Sequence, residues 1–506
     1  MQKLLETVDQ FAHRIWNIPA VRKWVTSLLY LAGGGFISLI FVAVVVLNGR
    51  EDLSVWHEVH LENEFEAGDE VETFAEYLAL EEKLFAEVES RVYAVTPEAT
   101  PDGISRYAPG SPANPSSYDT DWNRTFEWKV EDGKPKGGVL LLHGMSDSPY
   151  SLRHLGKSLH ARGMHVIGLR LPGHGTAPSG LKYFDWKDME SAVNLTMKHL
   201  EAEVGEAPLY LAGYSNGGAL AVHYGSEMLK HDDLPKVEGI ILCSPAVGVT
   251  PAASLAIWQR RLGYALGMEK LAWNAIAPEY DPFKYVSFAV NAGVQVHDLT
   301  VEIKKDLGQL KRAGKLKDYP PVLAFQSLVD ATVSTPALID ILFGELPDEG
   351  HELVLFDINR TGRIESLVKS DPLPKIRELI RSTSKTYAIS MISNDETDSV
   401  EVKEYHYRPD RSEPVVRDLG MVWPEGLYSL SHIAIPFPET DELYGSDPDL
   451  SPTGYHIGSV ALRGERGVLA VSATDQLRLR FNPFYPLVEE KVLGLIGGGA
   501  GEMEED

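Results

Sequence analysis

Short apolar runs that stop at a glycine or a turn recur along the middle of this chain. They are "GGVLLLHG" (137–144), "HVIGLRLPGHG" (165–175), "PLYLAGYSNG" (208–217), "VEGIILCSP" (237–245), "PPVLAFQSLVD" (320–330) and "HELVLFDIN" (351–359). Runs this short and this continuously apolar are strands buried on both faces. Between them lie helix-length amphipathic segments, "SPYSLRHLGKSLHARG" and "FDWKDMESAVNLTMKHLEAEVG". Buried strands alternating with helices predict an α/β fold: a mostly parallel sheet with helices on both faces. "RTFEWKVE" alternates apolar and polar positions and reads as an entering strand.

The alternation is framed and interrupted by segments of another character. Residues 24–47 hold no charged side chain, with Lys3, Arg14, Arg22 and Lys23 before them and an acidic stretch after Arg50. Such a run is long enough to span a bilayer as a helix, and the basic flank belongs on the cytoplasmic side. The expectation is a cytoplasmic segment (1–23), an uncleaved transmembrane anchor (24–47) and an extracytoplasmic remainder; a cleaved signal peptide is the rival. Residues 51–121 read as an acidic helical segment followed by a linker. The helix is "VETFAEYLALEEKLFAEVES", with Val71, Phe74, Leu78, Leu80 and Leu84 near helical spacing, and the linker is rich in Pro, Ser and Gly.

The sheet domain itself divides into 122–246, 319–357 and 429–506, the last carrying a closing helix, "NPFYPLVEEKVLGLIGG". A helical cap is expected over 247–318, where Trp258, Tyr264, Leu266, Trp273, Tyr280, Phe283, Tyr285 and Phe288 either line an acyl pocket or pack the cap on the sheet. A second insertion, 358–428, contains one helix and two candidate strands. No fixed-period repeat interrupts this order.

Charge and cysteine content narrow the chemistry. A formal net charge of −26 over 506 residues opposes a phosphate backbone, so nucleic acid is not an expected partner. The single cysteine, Cys243, lies in an apolar run and reads as a buried small side chain. No metal or other cofactor is called for by any ligand spacing.

The stretch "LAGYSNGGALA" holds the candidate nucleophile. Ser215 stands between Gly213 and Gly217, with a strand before it and a helix after it. Such a turn lifts a serine hydroxyl above the strand end, at a helix N-terminus, and tolerates only small neighbours. A serine needs a base, and the base an orienting acid. Asp330 ends a strand and is the candidate acid, with Asp357 on the next strand in reserve. Of the histidines that follow, His351, His406, His432 and His456, the best placed is His432 in "LYSLSHIAIPFP". The oxyanion amides are expected from Met145, in the loop after "VLLLHG", and from Asn216. His143 reads as a residue that shapes that loop.

These motifs, "LLLHGMSDSP", "LRLPGHGTAPSG", "LAGYSNGGA" and the later "SHIA", resemble the α/β-hydrolase superfamily, and within it the monoacylglycerol lipase and lysophospholipase branch often labelled serine aminopeptidase-like. The resemblance covers roughly residues 122–357 and resumes near 425. It implies the α/β-hydrolase fold and cleavage of a carboxylic ester, lipid-derived or small, through an acyl-enzyme on Ser215 with His432 and Asp330. Two alternatives remain open. One is a peptidase or amidase, for which Glu269 or Glu279 could anchor a substrate amine; the other is a catalytically silent binding protein.

Overall fold

The computed structural model describes residues 19–100, 103–131, 133–248, 268–348, 350–361, 373–382, 385–396, 398–458 and 477–497. The chain divides into two units, one ending at Asp52 and the other beginning at Leu53.

The first unit is a helix, α1 (Pro19–Asn48), with proline in its opening turn, where a missing N–H costs nothing. The single-pass anchor over 24–47, and with it the cytoplasmic N-terminus and extracytoplasmic domain, is not supported. Among the described residues no helix is long and apolar enough to cross a membrane. Freedom from charge is a weaker condition than an unbroken hydrocarbon surface. Thr26, Ser27, Tyr30 and the triplet Gly33, Gly34 and Gly35 dilute the run.

Among the described residues the second unit is built on twelve strands. They are β1 (Phe126–Trp128), β2 (Gly137–Leu142), β3 (Met164–Leu169), β4 (Leu209–Tyr214), β5 (Gly239–Cys243), β6 (Trp273–Ala275), β7 (Phe288–Ala289), β8 (Val322–Ser327), β9 (Glu352–Phe356), β10 (Ala388–Asn394), β11 (Glu401–Tyr407) and β12 (Val415–Val422). Ten of them form one sheet in the order β1-β3-β2-β4-β5-β8-β9-β10-β11-β12, and β6 pairs with β7 apart from it. All neighbours from β3 to β10 run parallel, and β1, β11 and β12 join antiparallel.

The period of two along each strand divides the core into two layers. Leu140, Leu142, Ile167, Leu169 and Leu211 face one layer, under α4 (Trp186–Val204), α5 (Asn216–Glu227) and α6 (Val290–Ala313). Val139, Leu141, Val166, Tyr210 and Ala212 face the other, with side chains from α3 (Arg153–His160) and α8 (Tyr485–Ile496). Each large side chain so buried contributes roughly 1.5–3 kcal/mol.

The acidic segment forms α2 (Phe74–Val88), started by a capping box of Thr73 and Glu76. Its buried stripe is Phe74, Tyr77, Glu81, Leu84, Phe85 and Val88, while Leu78 and Leu80 are half-buried. Glu81 is the unexpected member. It accepts from Arg170 Nε at 3.0 Å and from the Thr125 amide at 2.9 Å, so the charge is paired inside the core. The stretch expected as a surface linker is also partly interior: Arg106, Tyr107, Ser111 and Asn114 are buried, and Arg106 donates to Asn123 and to the Gly175 carbonyl.

The cap differs from an all-helical one. Residues 249–267, with Trp258, Tyr264 and Leu266, lie outside the described residues. The segment after them makes a short 3-10 turn (Glu269–Ala272) and the β6/β7 pair before α6 begins. Residues 358–428 are less an insertion than a continuation. Their helix α7 (Leu373–Arg381) crosses over to β10, and the three strands that follow widen the main sheet. The third of them, β12, alternates half-buried and exposed positions, as an edge does, which is why no buried run announced it.

Candidate active site

Ser215 lies between β4 and α5 with φ 53° and ψ −113°. A non-glycine residue there stores roughly 1–3 kcal/mol of backbone strain. The surroundings hold it. Its N–H donates to the Cys243 carbonyl at 2.9 Å, and its own carbonyl accepts from Ala246 at 2.9 Å and Ala219 at 3.1 Å. The two glycines are sterically required. A Cβ on Gly217 would stand 2.1 Å from the Leu142 carbonyl oxygen, and one on Gly213 would stand 2.3 Å from that of Gly217.

The loop after β2 passes directly over the serine: a Cβ on Gly144 would lie 3.2 Å from Ser215 Cβ. Met145 follows, and Ser146 turns the chain at φ 63°. Neither the Met145 nor the Asn216 amide donates a hydrogen bond among the described residues. Asn216 opens α5, where helix geometry leaves the first N–H groups free and a partial positive charge gathers. His143 braces the loop. Its Nδ1 lies 2.8 Å from the Gly144 carbonyl, its Nε2 accepts from the Leu171 amide at 3.0 Å, and burial holds it neutral.

His432 Nε2 lies 3.0 Å from Ser215 Oγ, and its Nδ1 lies 2.9 Å from Asp330 Oδ2. An ionised carboxylate only accepts, so Nδ1 carries the hydrogen and Nε2 is left to receive the serine proton. The Asp330 side chain is 0% exposed and that of His432 is 6% exposed, so the contact is made away from bulk water. Asp330 Oδ1 accepts from the Thr332 and Val333 amides at 2.8 and 3.0 Å, and Oδ2 also accepts from Gln326 at 3.1 Å. Burial raises the Asp330 pKa, but His432 and the two amides outweigh it, and the carboxyl is held below its ordinary value.

The segment that carries His432 is hung from the ends of two strands. Ser327, ending β8, donates to the Leu430 carbonyl at 2.9 Å. Asn359, just past β9, donates from its backbone to Tyr428 at 2.7 Å and from its side chain to Leu427 at 2.9 Å. Ser431 donates to the Leu479 carbonyl, and the Tyr214 ring packs 5.5 Å from the imidazole. Sequence reading named His432 but not Asn359, whose only signal is a polar residue three places beyond the end of a buried strand.

The other candidates are used elsewhere. Asp357 is bound bidentately by Arg360 at 2.7 Å and by Ser393 at 2.8 Å. His351 accepts from the Val322 amide, His406 meets Ser390, and His456 is buried against the Gly445 backbone with Asp441 and Asp447 nearby. Glu279 is buried and accepts from the Val286 and Ser287 amides at 2.8 Å each, with burial raising its carboxyl to about 7. Glu269 lies in the 3-10 turn of the cap segment. Among the described cap aromatics, Trp273 is buried, Phe283 stacks on Tyr150 at 4.4 Å, Tyr280 meets Arg480, Tyr285 receives the Thr176 amide, and Phe288 is half-buried. These are packing roles. Cys243 is buried and its thiol is pushed up to about 12, so it stays protonated.

Comparisons with known proteins agree with this architecture. Residues 133–356 match the family profile described as "Serine aminopeptidase, S33", and this part of the chain has the mostly parallel sheet of an α/β-hydrolase fold. The chain is 27% identical over 154 residues to phospholipase YtpA of Bacillus subtilis, covering 30% of this chain and 53% of that protein. It is 23% identical over 253 residues to a carboxylesterase of the same organism, covering 48% of this chain and 94% of that one. It is 24% identical over 217 residues to a thermostable monoacylglycerol lipase of Bacillus sp. strain H-257, covering 43% of this chain and 79% of the lipase. The first of these matches thus reaches about half the relative's length.

Proposed function

We propose that this protein is a serine hydrolase that cleaves carboxylic esters, lipid-derived or small, through an acyl-enzyme. The observation that carries the proposal is the hydrogen-bonded series from Ser215 through His432 to Asp330. Ser215 Oγ attacks the ester carbonyl as His432 Nε2 takes its proton. Negative charge gathers on the former carbonyl oxygen, and the Met145 and Asn216 amides receive it. The intermediate collapses, His432 returns the proton to the departing alcohol, and water repeats the sequence to free the acid. Asp330 stays ionised throughout and stabilises the imidazolium. The names of the relatives, a phospholipase, a carboxylesterase and a monoacylglycerol lipase, support the ester class.

The test is labelling with a fluorophosphonate probe, comparing the protein with Ser215→Ala. Labelling of the unaltered protein alone is expected, together with a loss of ester turnover of about 10⁶-fold in the variant. Equal labelling of both would refute the role of Ser215.

Amide cleavage is the second reading, favoured by the family's description as an aminopeptidase. The structure gives it little help, because the Glu279 carboxylate is already committed to two amides of its own chain. Parallel assays on acyl esters and aminoacyl amides separate the two, and turnover of amides alone would exclude the ester reading.

A further inference from the structure

The loop that carries Met145 is gripped from the cap side. The Tyr285 N–H donates to the Ser146 carbonyl at 2.7 Å, and Lys284 Nζ lies 3.2 Å from Asp147 Oδ2. Two consecutive cap residues therefore hold two consecutive residues of the loop. The grip is itself supported: Glu279 accepts from Val286 and Ser287, and the Pro282 carbonyl accepts from Asn123. The Asp147 side chain is buried, and its other oxygen accepts from the Ser148 amide at 2.9 Å.

A buried carboxylate two residues from Met145 is a liability. Unopposed, its negative charge would resist the charge that forms on the substrate oxygen beside the Met145 amide. Lys284 is the cation that opposes it. Among the described residues, titratable groups that interact with the pair include Asp281, Tyr444, Tyr214, His143 and His174, and burial holds both histidines neutral.

We infer that Lys284 is a positioning residue of the active site: through its ion pair with Asp147 it fixes the Met145 amide for the oxyanion and cancels the buried charge behind it. The inference rests on the proposed ester hydrolysis for its kinetic consequence, and on the ion pair alone for its structural one. Geometry carries it, and the direction of the Asp147 shift agrees. Burial raises that carboxyl and Lys284 pulls it back down, so without the lysine it rises further.

The test compares Lys284→Met, Lys284→Arg, Asp147→Asn and the Lys284→Met/Asp147→Asn pair in the full chain. Lys284→Met is expected to lower kcat for a short ester about 10- to 100-fold, with KM nearly unchanged. Lys284→Arg should restore most of the loss, and so should Asp147→Asn added to Lys284→Met, since it removes the uncompensated charge. The ratio of Lys284→Met to unaltered kcat should fall as pH rises, because the harm grows as Asp147 ionises. Hydrogen exchange at residues 143–148 should quicken in Lys284→Met whether or not the protein turns over an ester. Unchanged exchange together with unchanged kcat would overturn the inference. So would a kcat ratio flat with pH and no rescue by Asp147→Asn, which would mark the lysine as merely structural. Should Ser215→Ala keep its ester activity, the proposed reaction fails while the exchange result still decides the role of Lys284.

Discussion

At the residue scale the site is a set of strained or buried groups, each held by several neighbours. Asp330 shows the logic. Its two oxygens serve His432, Gln326 and two backbone amides, so the carboxylate can neither rotate nor protonate cheaply. Asp330→Asn should therefore keep the fold and lose about 10³–10⁴-fold in kcat, because an amide can orient the wrong imidazole tautomer; steady-state kinetics with circular dichroism decides. Its pKa has a second consequence. A carboxyl held low in the folded state contributes stability that is complete above its unfolded value and is lost as pH falls through the folded one. Urea unfolding between pH 6 and 3 should show a shallower acid loss in Asp330→Asn than in the unaltered protein, and equal slopes would sink this account. The glycines make the complementary case. Gly217→Ala must move the Leu142 carbonyl or unwind the turn, at a cost of about 1–3 kcal/mol or more, and it should abolish probe labelling. Much of this was legible in the sequence, since Ser215, Asp330 and His432 each follow a recognisable element or motif. Asn359 and Lys284 were not, because a hydrogen bond across 68 residues and an ion pair across 137 leave no local pattern.

At the element scale the instructive part is the continuation beyond β9. Sequence periodicity showed the buried parallel strands because burial on both faces demands apolar side chains at every position. It showed the widening strands less well, since β11 and β12 are covered on one side at most and carry charges. Those charges are organised. Lys491 of α8 meets Glu352 of β9 at 2.6 Å and Glu404 of β11 at 2.7 Å, beside Ser390 of β10. One cation thus ties a helix to three strands. Lys491→Met would leave Glu352 and buried Glu404 without their shared cation, with Arg417 still 2.8 Å from Glu404, and should cost about 3 kcal/mol. Breaking the neighbouring contact of Arg417 with Glu490 by Glu490→Gln, where the side chains are 34% and 56% exposed, should cost under about 1 kcal/mol. Chemical denaturation of Lys491→Met and Glu490→Gln measures the contrast, and similar losses would mean the Lys491 cluster is no better insulated than the surface.

At the scale of the whole molecule, pattern and packing part company at the front of the chain. A charge-free run suggested a membrane anchor, but among the described residues no helix is apolar enough for one. A Pro-rich stretch suggested a linker, and much of it is interior. Both readings relied on what residues avoid rather than on what they touch. The acidic segment is the reverse case: α2 was readable from its spacing, and its burial depends on Arg170, which composition could not reveal.

The suspension of His432 between β8, β9 and Leu479 has a temporal consequence. The ribosome releases Ser215 long before it releases the histidine, and the braces at Leu479 and the closing helix later still. A growing chain thus carries Ser215 before it carries His432, the base of the proposed mechanism. On the proposed mechanism reactivity waits for residue 432 and its braces, so a chain stopped before residue 429 should fold in part and stay dark to the probe.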